Sequence, residues 1–269
     1  MFAAEGSPAP QLAMVTGAGR GIGRAIALAL AGAGHPLVLV ARNADQLAQT
    51  QALVASVGAS VVSIAADVGS WESVRGLADR VLAEIGPVHV LVNNAGYAPP
   101  EVPFLASDVG DWERTITVNL LAPMWLCRAF VPGMAERGGG VVINMNSLGG
   151  CQPFPTQSAY AASKAGLCRL TDTLAAELAG VVQFFDVHPG LVRTSMTENL
   201  QMWKGLSADR WTAPTVVADV VVQLATGRHS ALSGRFINAS TDRDLGALAR
   251  GLADEQSRTL RLVPSAHDG

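Results

Sequence analysis

The chain holds two tyrosines and two lysines, and one of each stands four positions apart in Tyr160-Ala-Ala-Ser-Lys164. The surrounding residues read as helix, so the phenol and the ammonium share one helix face, a turn apart. Tyrosine ionises near pH ~10 in water, and a close positive charge favours the phenolate, so the pairing predicts a lowered tyrosine pKa. A phenol tuned by a cation is a proton donor of the kind that carbonyl reduction requires. The competing reading is an amphipathic helix with a surface lysine. The segment alone does not separate the two, and the upstream sequence must decide.

A second stretch with chemical meaning is Gly17-Ala-Gly-Arg-Gly21-Ile-Gly23. It follows the apolar run Leu12–Thr16 and leads into Arg24–Ala31, which has helical composition. Glycines let the backbone approach a diphosphate closely, and a helix N-terminus offers unpaired N–H groups and the positive end of its dipole. A tight turn between packed elements is the plainer reading. The strand-before, helix-after context favours the phosphate reading over it.

These groups need elements to position them, and the pattern of strand then helix recurs along the chain. Further strands are predicted at Leu37–Val40, Ser60–Ala65, Val88–Val92, Val141–Met145, Val182–Val187 and Arg235–Asn238. Helices are predicted at Asp45–Val57, Ser70–Ile85, Asp108–Met134 with a kink or break at Pro123, Ser158–Leu178 and Val216–Ala225. Strands that alternate with helices and are almost continuously apolar predict a parallel sheet covered on both faces. The fold class is therefore α/β: a single-domain Rossmann fold, a doubly wound parallel sheet of about seven strands. Residues 12–241 form the domain, including a loop at 191–213; residues 1–11 are a flexible N-terminal segment and 242–269 a variable tail. Within that tail Asp242–Asp254 reads as helix and Thr259–Val263 as an extended segment. Ligands of such sheets bind at the carboxyl ends of the strands, so Gly17, Asn93, Ser147 and Pro189 are expected along one edge.

Composition narrows the function classes. Hydrophobic residues are 49% and charged residues 15% of the 269, ample for a buried core. The net charge of −3 and the scattered basic residues predict neither a nucleic-acid nor an anionic-membrane partner. No run of about 18 uninterrupted apolar residues predicts a membrane span. Met1–Gln11 carries Glu5, Pro8 and Pro10 and does not read as a signal peptide, so a soluble cytoplasmic protein is expected. The cysteines, Cys127, Cys151 and Cys168, lack metal-ligand spacing and read as free thiols in a reducing compartment, with no metal site. Cys151 has no basic partner nearby in sequence and is not expected to be a nucleophile.

Taken together, the motifs resemble the short-chain dehydrogenase/reductase family. The matching residues are Thr16-Gly-Ala-Gly-Arg-Gly-Ile-Gly23, Asp67-Val68, Asn93-Asn-Ala-Gly96, Asn119, Ser147, Tyr160-x-x-x-Lys164 and Pro189-Gly190 with Thr194. The resemblance implies an NAD(P)-dependent oxidoreductase in which Tyr160 exchanges a proton with the substrate oxygen and Ser147 hydrogen-bonds the same oxygen. Lys164 would lower the tyrosine pKa and hold the nicotinamide ribose, and Asn119 would orient a water linking Lys164 to solvent. For the cofactor it implies Gly17, Gly19, Arg20, Gly21, Ile22 and Gly23 at the diphosphate, and Asp67 and Val68 at the adenine. Asn93, Ala95 and Gly96 would lie beneath the adenosine ribose, and Pro189, Gly190, Val192 and Thr194 at the nicotinamide. The family also implies a homodimer or homotetramer.

The second predicted strand ends in Val40-Ala41-Arg42-Asn43, with no acid until Asp45. A carboxylate there would repel a ribose 2′-phosphate, whereas Arg42, with Arg20, can meet one, so NADP(H) is expected and NAD(H) is the alternative. The loop Leu191–Ala213 carries Met196, Leu200, Met202, Trp203 and Trp211, and is expected to wall a small apolar carbonyl or alcohol substrate. Leu148, Cys151 and Phe154 are expected on the opposite wall, and Tyr97 is a further pocket candidate. His188 is expected to be structural. A dinucleotide-binding sensor or scaffold without turnover is the alternative function. The joint presence of Asn119, Ser147, Tyr160 and Lys164 argues against it.

Overall fold

The computed structural model describes residues 11–198, 200–254 and 257–261. Seven strands form one parallel sheet: β1 (Ala13–Thr16), β2 (Leu37–Ala41), β3 (Val61–Ala65), β4 (Val90–Asn93), β5 (Gly140–Met145), β6 (Val182–His188) and β7 (Phe236–Asn238). Their order is β3-β2-β1-β4-β5-β6-β7, so the chain winds outward from β1 in one direction and from β4 in the other. The helices are α1 (Gly21–Gly32), α2 (Ala44–Ser56), α3 (Trp71–Glu84), α4 (Val109–Ile116), α5 (Ala122–Glu136), α6 (Ser158–Glu177), α7 (Pro214–Ala225) and α8 (Leu245–Arg250).

Side-chain alternation along the strands divides the core in two. Ala13, Val15, Leu37, Leu39, Val90 and Val92 face one layer with Ile26 and Leu30 of α1, Leu47 of α2 and Val217 and Leu224 of α7. Met14, Val38, Val40, Leu91 and Val142 face the other, with Leu77 of α3 and Leu126, Phe130 and Met134 of α5. Strands apolar on both faces and helices on both sides are the doubly wound arrangement expected from the sequence.

Local chemistry sets the helix starts. The side chains of Asn43, Ser70 and Asp108 accept from backbone N–H groups of Gln46, Ser73 and Asp111, capping α2, α3 and α4. α1 differs: Arg20 at its N-cap makes no side-chain cap bond, and its first turn holds no acid.

Three expectations require correction. The helical region after Asp108 is interrupted by a π turn at Thr117–Leu121, not by Pro123, which sits harmlessly in the first turn of α5. The helix expected over Asp242–Asp254 is confined to α8, capped by Asp244 and ending at Gly251. Thr259–Arg261 form no strand, while Leu262 and Val263, like the first ten residues, lie outside the described residues. The run Val109–Glu136 is long and apolar enough for a membrane span by length and composition. Its apolar face supplies Leu126, Phe130 and Met134 to the core instead.

Candidate active site

The carboxyl ends of the strands open onto one cavity of about 1720 Å³. It crosses the place where the strand order reverses, between β1 and β4, as expected of a doubly wound sheet. The two strand ends are clamped together there. Thr16 Oγ1 accepts from the N–H groups of Asn94 and Ala95, both at 3.0 Å, and the Asn94 amide donates to the Thr16 carbonyl at 2.9 Å. Gly17 and Gly21 have φ of +65° and +56°, which side-chain-bearing residues rarely adopt. A Cβ on Gly23 would stand 2.2 Å from the Gly17 carbonyl oxygen. The glycines therefore permit a turn folded tightly on itself, beneath an α1 N-terminus whose N–H groups no side chain caps.

Most of the expected cofactor residues line this cavity. Gly17, Gly19, Arg20, Gly21, Ile22 and Gly23 border one end with Arg42, Asp67 and Val68, and Ala95 and Gly96 border its middle. Pro189, Gly190, Val192 and Thr194 border it with Ser147, Tyr160 and Lys164. Arg20 and Arg42 are exposed and have no ion-pair partner among the described residues. Asp67 Oδ1 accepts from the Gly69 N–H at 3.0 Å.

Two expected residues do not reach the cavity. Asn93 is still within β4 and lies on the Leu91 side of the pleat. There it is buried, donating to Asn144 Oδ1 of β5 at 2.8 Å. Asn94, one residue on, takes the place at the cavity wall. Asn119 is also buried, and its amide is committed: Oδ1 accepts from the Tyr97 N–H at 2.8 Å, and Nδ2 donates to the Tyr97 carbonyl at 2.8 Å and to Ser163 Oγ at 3.1 Å. It joins the segment after β4 to the turn of α6 that carries Tyr160 and Lys164, since Ser163 Oγ donates to the Tyr160 carbonyl at 2.7 Å.

Ser147, Tyr160 and Lys164 meet at the end of β5. The Ser147 hydroxyl lies beside the Tyr160 phenol, near enough to oppose the rise in its pKa, and accepts from the Gly149 N–H at 3.1 Å. The Lys164 ammonium donates to the Met145 carbonyl at 2.8 Å and lies 5.7 Å from the centre of the Tyr160 ring. The expected fall in the tyrosine pKa is not found. Burial raises the Tyr160 pKa, and only Ser147 opposes it. Burial acts on Lys164 as well, pulling it down to about 8 against the opposing charge of Asp186. Desolvation penalises both charged forms, and here it is the largest influence on each.

Sequence reasoning missed the groups behind this cluster. Asp186 of β6 is buried, and its Oδ1 accepts from Asn146 Nδ2 at 2.8 Å and Thr171 Oγ1 at 3.0 Å. Asn146 Oδ1 in turn accepts from the Ser147 N–H at 2.8 Å. Burial pushes Asp186 up to about 7. The signal available was a carboxylate set between the apolar Phe185 and Val187 in the strand Val182–His188. His188 ends that strand, stacked on Phe236 with ring centroids 6.1 Å apart, and burial pulls it down to about 4.

The substrate side of the cavity is aromatic. Phe154 stands between Tyr160 and Trp203, with ring centroids 6.4 and 6.3 Å away, and Leu148, Met196, Leu200 and Leu206 complete the wall. Tyr97 lines it too, its hydroxyl donating to Asp111 and its ring covered by Arg114 at 4.4 Å. Trp211 also lines it, covered by Arg193 at 4.8 Å. Cys151 does not line the cavity; it turns toward α6 instead.

Residues 11–205 match the family described as short chain dehydrogenase. The short chain dehydrogenase mpl6 of Monascus purpureus is 36% identical over 235 residues, covering 85% of this chain and 80% of its own. A metagenomic short-chain oxidoreductase solved in complex with NADP is 36% identical, with a TM-score of 0.70 over 80% of this chain and 90% of its own. An NAD+-bound xylitol dehydrogenase is 26% identical, with a TM-score of 0.78 over 85% of this chain and 96% of its own. With the seven-stranded sheet, the glycine turn and the Ser147–Tyr160–Lys164 cluster in place, the chain belongs to the short-chain dehydrogenase family, which binds NAD(P), and is a dehydrogenase/reductase.

Proposed function

We propose that the protein is an NADP(H)-dependent oxidoreductase that interconverts a small apolar ketone or aldehyde and the corresponding alcohol. The observation that carries this reading is the meeting of the Ser147 hydroxyl, the Tyr160 phenol and the Lys164 ammonium in the same cavity as the glycine turn. The residues present suit a dinucleotide: the positive φ of Gly17 and Gly21 and the close approach at Gly23 hold a tight glycine turn at the cavity edge, and the α1 N-terminus is uncapped and free of acids. Gly17, Gly19, Arg20, Gly21, Ile22 and Gly23 would hold its diphosphate, Asp67 and Val68 its adenine, and Ala95 and Gly96 its inner ribose. Pro189, Gly190, Val192 and Thr194 would hold the nicotinamide end.

The bound dinucleotide supplies or accepts hydride. The chain handles the proton. Tyr160 donates it to the substrate oxygen in reduction and takes it back in oxidation, with the Ser147 hydroxyl hydrogen-bonded to the same oxygen. The raised Tyr160 pKa keeps the phenol protonated, the form that reduction uses. Lys164 supplies the positive charge that favours the departing phenolate, held in place by the Met145 carbonyl. Asn119 keeps the Tyr160–Lys164 turn against the segment after β4.

The preference for NADP(H) rests on Arg42, exposed at the end of β2, with Arg20 lining the same cavity. Asp45, the next acid in sequence, lies in the first turn of α2 and does not line the cavity. Phe154, Trp203 and their apolar neighbours favour an apolar substrate. The test is a panel of ketones, aldehydes and alcohols assayed with NADPH, NADH and their oxidised forms. Carbonyl-dependent NADPH oxidation that disappears in Tyr160→Phe, with NADPH binding retained, supports the reading. Normal turnover by Tyr160→Phe on every substrate of the parent enzyme defeats it.

A further inference from the structure

The turn that follows Ser147 lies flat on α6. A Cβ on Gly150 would stand 2.7 Å from the carbonyl carbon of Lys164 and 3.0 Å from the Ala165 nitrogen, so only glycine allows this approach. The next residue is Cys151. One helical turn beyond Lys164, on the same side of α6, is Cys168. That close packing makes the two thiols neighbours across sixteen intervening residues, and each perturbs the other's ionisation. Cys151 is exposed; Cys168 is buried, where Asn146 Nδ2 donates to its sulfur at 3.2 Å and Asp186 contacts it.

We propose that Cys151 and Cys168 form a dithiol–disulfide pair, a modification site beneath the Ser147–Lys164 cluster whose oxidant is a low-molecular-weight disulfide. The exposed thiol is the one poised to attack. Interaction with Cys168 lowers the Cys151 pKa, and that same interaction, with burial and the nearby carboxylate, keeps Cys168 protonated. In the first step the Cys151 thiolate attacks one sulfur of the oxidant, forming a mixed disulfide and releasing one thiol. In the second, Cys168 gives up its proton, for which Asp186 is the adjacent base, and attacks the Cys151 sulfur. The remaining oxidant thiol leaves. The protein dithiol loses two electrons and two protons, and the oxidant becomes two thiols. Cys127 stands outside this chemistry: it is buried on α5, and burial pushes its thiol up to about 12.

A disulfide bond of ~2.05 Å draws the sulfurs closer than any thiol hydrogen bond. That movement takes Cys168 away from Asn146, whose carbonyl oxygen fixes the Ser147 N–H, and pulls on the turn that carries Leu148 toward the cavity. Displacements of this size near reacting groups cost ~10- to 100-fold in rate, so oxidation is expected to lower kcat/KM about tenfold. The bond itself is independent of the reading of the cavity; its effect on turnover rests on the oxidoreductase function proposed above.

The full-length protein is incubated with oxidised glutathione, alkylated and digested without reduction, and its peptides are mapped by mass spectrometry. The expected result is a Cys151–Cys168 cross-linked peptide lacking two hydrogens, with Cys127 still a thiol. Carbonyl-dependent NADPH oxidation should fall about tenfold, return with dithiothreitol, and become insensitive to oxidant in Cys151→Ser and in Cys168→Ala. Glutathione on Cys151 beside a free Cys168 overturns the pair. A cross-link with unchanged turnover refutes its control of the site. If the reduced protein turns over no carbonyl while the cross-link forms, the pair stands and the oxidoreductase reading is what has failed.

Discussion

The Lys164 ammonium points at the end of a strand rather than at its tyrosine: it donates to the Met145 carbonyl at 2.8 Å and stands 5.7 Å from the centre of the Tyr160 ring. The cation is therefore fixed by β5. Burial dominates both groups, raising Tyr160 and pulling Lys164 down to about 8.

Replacing Lys164 with Met keeps the stem and removes the charge. Loss of electrostatic assistance to the phenolate should reduce kcat by about a hundredfold or more. The melting temperature should fall modestly, because the Met145 carbonyl loses its donor and Asp186 its opposing cation, partly offset by relief of a buried charge. Steady-state kinetics and thermal melting on the same preparation check both halves; near-parental turnover would remove Lys164 from the proposed mechanism.

Gly23→Ala tests the glycine turn. The added methyl would stand 2.2 Å from the Gly17 carbonyl oxygen and 2.5 Å from Asn94 Nδ2, so the turn must open. Overpacking of this kind typically costs ~1–3 kcal/mol. Chemical denaturation should report that loss, and fluorescence titration should show NADPH affinity reduced at least about tenfold, since 1.4 kcal/mol is a factor of ten.

Arg42→Ala separates the two cofactors. One charge-assisted contact to a phosphate contributes ~1.5–3 kcal/mol, so the Kd for NADPH should rise about tenfold or more. The Kd for NADH should change little. Equal losses for both cofactors would place Arg42 outside the 2′-phosphate site.

His188 gives the stability a pH dependence of definite sign. Burial lowers its pKa from 6.5 to about 4 in the folded chain, so between these values the unfolded chain binds more protons. Its contribution is complete above pH 6.5 and is lost as the pH falls toward 4, amounting to ~3 kcal/mol at most. The stability difference between the parent and His188→Asn, followed by urea unfolding from pH 4 to 7, should rise across that window and then level. A flat difference would contradict the assignment.

Much of the site was legible because its parts obey short-range rules. Tyr160 and Lys164 share a helix face at a four-residue spacing. Gly17 to Gly23 sit between an apolar strand and a helix. Parallel strands bring all their carboxyl ends to one edge, so Ser147 and Pro189 had to arrive beside Gly17. The bonds that the Asn119 amide makes to Tyr97 and Ser163 were not legible, because partners so far apart in sequence are fixed only by packing.

The amino-acid order by itself determined the doubly wound sheet, its ligand edge and the identity of the Ser147, Tyr160 and Lys164 cluster, because periodicity and strand direction follow from local backbone geometry. Tertiary structure decided which of Asn93 and Asn94 faces the cavity, since the pleat and the pairing of Asn93 with Asn144 turn one inward. It also decided that Asp186, Asn146, Cys168 and Cys151 assemble behind Ser147, and that Tyr160 is raised rather than lowered. Desolvation depends on every atom packed around a group, and contacts between distant segments depend on close approaches such as Gly150 on α6.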